Sequence, residues 1–367
     1  MEEKREKPTR QTSIELLRSV AMLMVITLHY LGKSGIMIPL SEKQSLGGYA
    51  AWLLEAFCIM AVNTYVLVSG YFLTESGFKL RRFILLTAQI LFYSILIPLV
   101  MFVTGRYSLS DLTLYDALLY FLPIEMNHYW FGTAYLLMYL FVPVLSVGVK
   151  QLSEKQLRMT IFLALLVFSI GKSILPFQLT IDNAGYDVTW FLCLFLVAAY
   201  FRLYGCKRLS RSRNGWFLYL GGSLGIFSLS VVIAYFSRKF GKFAYFIESP
   251  YQYNHILCLL AAIGLFFAFL HWNIPENFFA KAVRWIAPYT FGVYLLHEHM
   301  AVKYRLPKLL GTEKREGGGF SLLHWLVSIF LIFAVGILVD YIRERIFGGI
   351  EKLFMRHKRS GDVRNEK

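Results

Sequence analysis

The chain has 367 residues, 57% of them hydrophobic and 17% aromatic, with a mean hydropathy of +0.52 and a net charge of +15. Apolar runs longer than a bilayer requires exclude a soluble globular domain, and their continuity excludes an outer-membrane barrel, whose strands alternate. The basic residues fall mostly in short loops between these runs, where membrane topology explains them, so nucleic acid is not an expected partner.

Helices are expected at 14–32, 48–73, 80–104, 128–148, 157–175, 187–205, 215–237, 252–271, 282–304 and 320–347. That is about ten spans, and the expected fold is an all-α polytopic integral membrane protein. Residues 111–122 form a shorter amphipathic stretch, expected at the interface. An even number of spans puts both termini on one side. The loops on that side and the two ends carry about two-thirds of the 38 Lys and Arg, so both termini are expected in the cytoplasm and the chain in the cell membrane. The chain then divides into a cytoplasmic segment 1–13, a membrane domain 14–347 and a basic tail 348–367, read as disordered or surface-lying. Cys58, Cys193, Cys206 and Cys258 lie in or beside apolar runs, with neither metal spacing nor a disulfide framework. The first run lacks a small-residue cleavage site and contains Arg18, so it reads as a span and not a cleavable signal.

Arg18 and His29 stand in this first span with ten residues between them. Eleven helical steps are almost three turns, so both side chains share one face, roughly 16 Å apart along the axis. An ionisable group inside a membrane helix is a functional hypothesis by default, because leaving it there costs free energy. The expected topology places Arg18 toward the inside and His29 toward the outside. His128, Trp130, His297 and Glu298 fall near the depth of His29. Ser69, Gly70, Tyr71, Lys79, Arg81 and Arg82 fall near that of Arg18.

Each residue also has a plainer reading. Arg18 could be a snorkelling anchor, Glu15 the partner of a capping box in Thr12-Ser-Ile-Glu15, and His29 an interfacial histidine bonded to a carbonyl. Trp130 could belong to an aromatic belt, Ser69-Gly70 to close helix packing, and Lys79, Arg81 and Arg82 to the positive-inside rule. Asp340 is a candidate counter-charge for Arg18. His297 and His299, two apart on one helix, point to different faces, so no metal site is expected.

Five segments in order resemble one family. These are Glu15-Leu-Leu-Arg18 with His29, Asn63-Thr-Tyr-Val-Leu-Val-Ser69-Gly70-Tyr71, Phe78-Lys79-Leu-Arg81-Arg82, His128-Tyr-Trp130-Phe-Gly-Thr-Ala-Tyr135, and Thr290-Phe-Gly-Val-Tyr294-Leu-Leu-His297. They are similar to the motifs of the membrane-bound acyltransferase family 3, over about 12–347. The overall wording is most similar to its stand-alone members associated with bacterial capsule and exopolysaccharide modification. Lys79 stands where the family often has the first of two arginines, and a lysine lacks bidentate phosphate contact.

The resemblance implies O-acetyl transfer from cytoplasmic acetyl-CoA, or another acyl-CoA, to a hydroxyl of a glycan or a lipid-linked glycan, with no bound cofactor. It implies catalytic roles for His29, Arg18 and Glu15. His29 is the expected base or transient acyl carrier, since a sugar hydroxyl is a weak nucleophile. Donor binding is expected at Arg18, Ser69, Gly70, Arg81 and Arg82, whose cations suit phosphates. Acceptor binding is expected at Tyr71, His128, Trp130, Tyr135, His297 and Glu298. The competing reading is a transporter or flippase of lipid-linked sugars, for which repeated halves would be expected; none is visible. A homo-oligomer stays open.

Overall fold

The computed structural model describes residues 11–108, 110, 112–175, 183–312 and 319–365, with backbone alone at 350 and 352–365. Its helices are α1 (Thr12–Lys33), α2 (Leu46–Cys58), α3 (Ala61–Ser76), α4 (Leu80–Val103), α5 (Leu114–Phe121), α6 (Trp130–Gln151), α7 (Glu154–Leu165) and α8 (Gly171–Ile174). They continue with α9 (Val188–Tyr204), α10 (Ser212–Phe240), α11 (Ile256–Leu270), α12 (Phe278–Ile286), α13 (Thr290–His297), α14 (Met300–Lys303), α15 (Leu306–Leu310) and α16 (Leu322–Asn365). No strand occurs among the described residues. The protein is an all-α polytopic membrane protein. Among the described residues, eight stretches are long and apolar enough to cross a bilayer, and α9 adds a shorter apolar helix.

The differences from the expected ten spans have local causes. The run 48–73 is interrupted at Ile59–Met60, which separates α2 from α3. The run 157–175 carries a π-helical turn at Leu166–Ile170 between α7 and α8. The run 282–304 is divided most. Pro288 sits in a 3-10 turn (Ala287–Tyr289) and removes the backbone donor that would continue α12. A second break follows at Glu298–His299, where the His299 ring caps α14 by accepting from Ala301 N at 3.0 Å. At the other end of the chain α16 runs past 347 to Asn365. The short stretch near 111–122 is α5, opened by a Thr113–Asp116 capping box.

Helix α1 is the centre of the assembly. It contacts α2, α3, α11, α12, α13 and α16, and most of its residues are buried. Its start is not held by the expected capping box. Gln11 precedes the helix without a capping bond, and the Glu15 carboxylate turns to Arg18 instead. Helix α16 braces the far half of α1: Trp325 Nε1 donates to Thr27 Oγ1 at 3.1 Å, and the Tyr30 hydroxyl meets His324 Nδ1 at 2.8 Å. Elsewhere α10 and α11 approach backbone to backbone through glycines. A Cβ on Gly215 would lie 2.3 Å from Ala268 N, and one on Gly264 would lie 2.4 Å from Tyr219 N. Small residues of this kind let helices pack closely where lipid offers no hydrophobic drive.

Asp340 of α16 is not the counter-charge of Arg18. It is fully buried and accepts from Gln89 Nε2 and Tyr93 OH at 2.9 Å each, and from Arg343 Nε at 2.7 Å and Nη2 at 3.0 Å. It thereby ties α4 to α16, and α13 crosses it at Gly292, where a Cβ would come within 2.2 Å of the Asp340 carboxyl carbon. Breaking a buried pair of this kind by removing one partner costs about 3–5 kcal/mol. Asp340→Ala is therefore expected to lower the unfolding temperature of the detergent-solubilised protein clearly. A thermal scan that leaves it within a degree of wild type would show that the network does not hold the bundle.

Candidate active site

The second break in the 282–304 segment decides the site. It ends α13 at His297 and delivers His297 and Glu298 to the side of α1 that carries His29. His297 Nδ1 lies 2.6 Å from the Val293 carbonyl, one turn earlier on α13. A carbonyl only accepts, so Nδ1 holds the proton and His297 Nε2 holds a lone pair. That Nε2 is 2.8 Å from His29 Nδ1, and Glu298 Oε2 is 3.0 Å from the same nitrogen. Both neighbours are acceptors, so His29 Nδ1 carries the proton. The neutral ring then presents its Nε2 lone pair away from them. The hydrogen bond at one ring nitrogen sets the state of the other.

Glu298 is itself clamped. Lys33 Nζ, one turn beyond His29 on α1, bonds its Oε2, and Lys303 Nζ lies 3.3 Å from Oε1. The carboxylate is almost fully buried, yet two ammonium groups compensate it. His29, His297 and Glu298 bring three ligand atoms within 4.8 Å of one another, close enough to suit a cation. Two lysines already face that carboxylate, and their repulsion disfavours a divalent ion there.

Two small cavities meet at His29. One is lined by Tyr30, Lys33, His297, Lys303 and Pro307 among others. The other is lined by Met22, Val25, Val62, Tyr65, Trp130, Phe131, Tyr253 and Tyr294, and is called the aromatic chamber below. Met22 and Val25 continue the face of α1 that starts at Arg18. Asn63 of α3 shapes the chamber from behind. Its Nδ2 donates to the Tyr253 carbonyl at 2.6 Å, and its Oδ1 accepts from Trp190 Nε1 at 2.9 Å. Trp130 stacks on Tyr253 with centroids 5.6 Å apart.

The Arg18 end has a different character. Arg18 Nη1 lies 3.2 and 3.4 Å from the two oxygens of buried Glu15, and the guanidinium keeps partial exposure. Tyr65 OH donates to the Arg18 carbonyl at 2.6 Å, so Tyr65 spans from this level to the chamber. Arg82 Nη2 donates to Tyr135 OH at 3.3 Å, and the Tyr135 ring stacks on Phe131 at 6.0 Å.

A model of the acyltransferase domain of acyltransferase family 3 matches residues 11–341. The chain belongs to acyltransferase family 3. It is a membrane acyltransferase. No curated protein and no solved structure matches it.

The residues expected in this acyltransferase's site fall into three groups. His29, His297 and Trp130 line the two cavities, and Glu298 bonds His29 from behind them. Arg18, Glu15, Arg82 and Tyr135 lie toward the other end, with Tyr135 beside Arg82 and not at a histidine. The remaining residues have other neighbours. His128 turns Nδ1 toward the Leu119 carbonyl at 3.1 Å and the Ser94 hydroxyl at 3.4 Å, and its Nε2 accepts from Met300 N at 3.3 Å, so neither nitrogen is left for a substrate hydroxyl. The Tyr71 ring lies under Arg202 at 5.1 Å and against Phe266, six residues beyond Tyr65 and away from His29. Arg81 is exposed and pairs with Glu351 at 2.8 Å. Ser69 is half-buried beside Gly70.

Lys33, Lys303, Tyr294 and Asn63 are site residues that the reading by depth did not single out. Lys33 had a visible signal, since it lies four residues after His29 on the same face. Lys303 had none, because its place depends on the break at His299.

Gly70 tests the difference between packing and donor binding. A Cβ there would lie 2.9 Å from Ala198 Cβ and 3.2 Å from Phe195 Cα. Overpacking of this kind costs about 1–3 kcal/mol. Gly70→Val is expected to lower thermal stability while leaving the KM for the acyl donor within about threefold. A large rise in that KM at unchanged stability would return Gly70 to the donor site.

Proposed function

We propose that this protein transfers a short acyl group, acetyl, from cytoplasmic acyl-CoA to a hydroxyl of a cell-surface or exported glycan or its lipid-linked precursor, at the cell membrane. The observation that carries the proposal is the His29 ring: its Nδ1 proton is held by His297 and Glu298, which leaves Nε2 as a base at the meeting point of two cavities. A base oriented through its second nitrogen is what activation of a hydroxyl requires. Glu298 then stabilises the imidazolium that forms when Nε2 takes the proton.

The two ends of α1 support a division of labour. Arg18 and Arg82 supply cations for the phosphates of CoA. The face Arg18, Met22, Val25, His29 leads from them to the aromatic chamber, where the acyl end would lie. The hydroxyl acceptor would approach from the Lys33 and Lys303 side. The chamber has a volume of about 20 Å³, which supports a two-carbon acyl group. A space of that size holds about one water-sized group, and a methyl is of that order. The transporter reading has less support, since substrate passage does not call for an oriented base with a lone pair.

His29→Ala is expected to leave the protein inserted and folded while transfer of radiolabelled acetyl from acetyl-CoA to glycan falls by at least about 10²-fold. Transfer at the wild-type rate would sink the assignment. Arg18→Ala is expected to raise the KM for acetyl-CoA roughly ten- to hundredfold, the loss of one charge-assisted contact, and unchanged donor dependence would make Arg18 an anchor. Across a donor series, butyryl-CoA is expected to react at least about tenfold more slowly than acetyl-CoA, because its extra carbons overfill the chamber.

A further inference from the structure

Three tyrosines line the aromatic chamber, and two of them have committed hydroxyls. Tyr65 donates to the Arg18 carbonyl at 2.6 Å. Tyr253 bonds to Tyr186. The third, Tyr294 of α13, is buried, and its hydroxyl has no hydrogen-bond partner among the described residues. The Phe131 backbone amide approaches its oxygen as a donor without reaching hydrogen-bond geometry, which leaves the hydroxyl proton uncommitted. A buried donor without an acceptor costs about 1–3 kcal/mol. Such a group in an active-site wall is accounted for if its acceptor arrives with the substrate.

The position suits that role. Tyr294 and His29 line the same small chamber, and the Tyr294 ring lies 6.3 Å from the His297 ring that orients His29. The Phe131 and Phe291 rings pack against it at 5.6 and 6.1 Å, which restricts the phenol to one placement. The surroundings are apolar, so a hydrogen bond to developing charge is stronger there than in water.

We propose that the Tyr294 hydroxyl is the oxyanion donor of the acyl-transfer step. This rests on the acyl-CoA reading above. The acceptor oxygen attacks the thioester carbonyl as its proton passes to His29 Nε2. The carbonyl π pair moves onto oxygen, and the resulting oxyanion accepts a hydrogen bond from Tyr294. When the intermediate collapses, the carbon–sulfur bond breaks, the CoA sulfur leaves with that electron pair, and His29 returns the proton to it. The products are the O-acyl ester and free CoA thiol. The neutral thioester carbonyl gains less from Tyr294 than the oxyanion does, so the contact acts on the rate more than on donor binding.

The test is steady-state acetyl transfer from acetyl-CoA by the full-length protein in detergent or liposomes, comparing wild type, Tyr294→Phe and Tyr129→Phe. Phenylalanine keeps the ring packing, and unfolding temperatures verify that both variants fold. Tyr129 is the control, because its buried hydroxyl is also unpartnered but it does not line the chamber. Tyr294→Phe is expected to lower kcat about 10²- to 10³-fold with the KM for acetyl-CoA within about threefold, the loss typical of one oxyanion donor. Tyr129→Phe is expected to stay near wild type. A wild-type kcat in Tyr294→Phe, an equal fall in both variants, or a fall confined to KM would overturn the proposal while acyl transfer by the wild type stands. A wild-type protein that transfers no acetyl would overturn the acyl-CoA reading and this proposal together.

Discussion

The proton on His29 Nδ1 is the constraint on which the site depends. It is placed there by a chain of two acceptors: the Val293 carbonyl takes the His297 Nδ1 proton, and His297 Nε2 with Glu298 then takes that of His29. The chain needs α13 to stop at His297, and that requires the break at Glu298–His299. It also needs the buried carboxylate to be affordable in an apolar bundle, which Lys33 and Lys303 achieve. Pro288, the His299 cap and the lysine clamp therefore belong to one device, although only His29 faces both cavities.

The surrounding protein behaves as a membrane protein must. Polar groups are concentrated where partners satisfy them, because the bilayer supplies none. Asp340 gathers Gln89, Tyr93 and Arg343; His128 and His299 close onto backbone groups; Asn63 joins two aromatic elements. Beside the committed hydroxyls of Tyr65 and Tyr253, the His29 lone pair and the Tyr294 hydroxyl stand out. Both belong to the wall of one chamber, and the chamber lies on the α1 face that begins at Arg18.

Much of this was legible in the residues. The helical period alone aligns Arg18, Met22, Val25 and His29, and span counting brings His297 and Glu298 to the depth of His29. Depth is one coordinate, however, and contact needs the angle around each helix as well. His128 shares the level of His29 and yet turns to Leu119 and Met300, while Tyr135 turns to Arg82. Gly70 carries a motif that suggests close approach of a ligand, and the close approach is that of α9. Lys33 was readable as a neighbour of His29 on α1, but a lysine at a helix end reads first as an interfacial residue.

The sequence by itself determined the class, the order of the apolar segments and the shared face of Arg18 and His29, because hydropathy and the 3.6-residue period are local properties of the chain. The tertiary structure decided which nitrogen of His29 holds the proton, that Glu298 is clamped by two lysines, and that Tyr294 alone among the chamber tyrosines keeps its hydroxyl proton uncommitted. These depend on atoms from α1, α6, α13 and α14 meeting within about one hydrogen bond of each other. That proximity follows from where the 282–304 segment breaks and how it packs against α1, and no periodicity within a single helix encodes it.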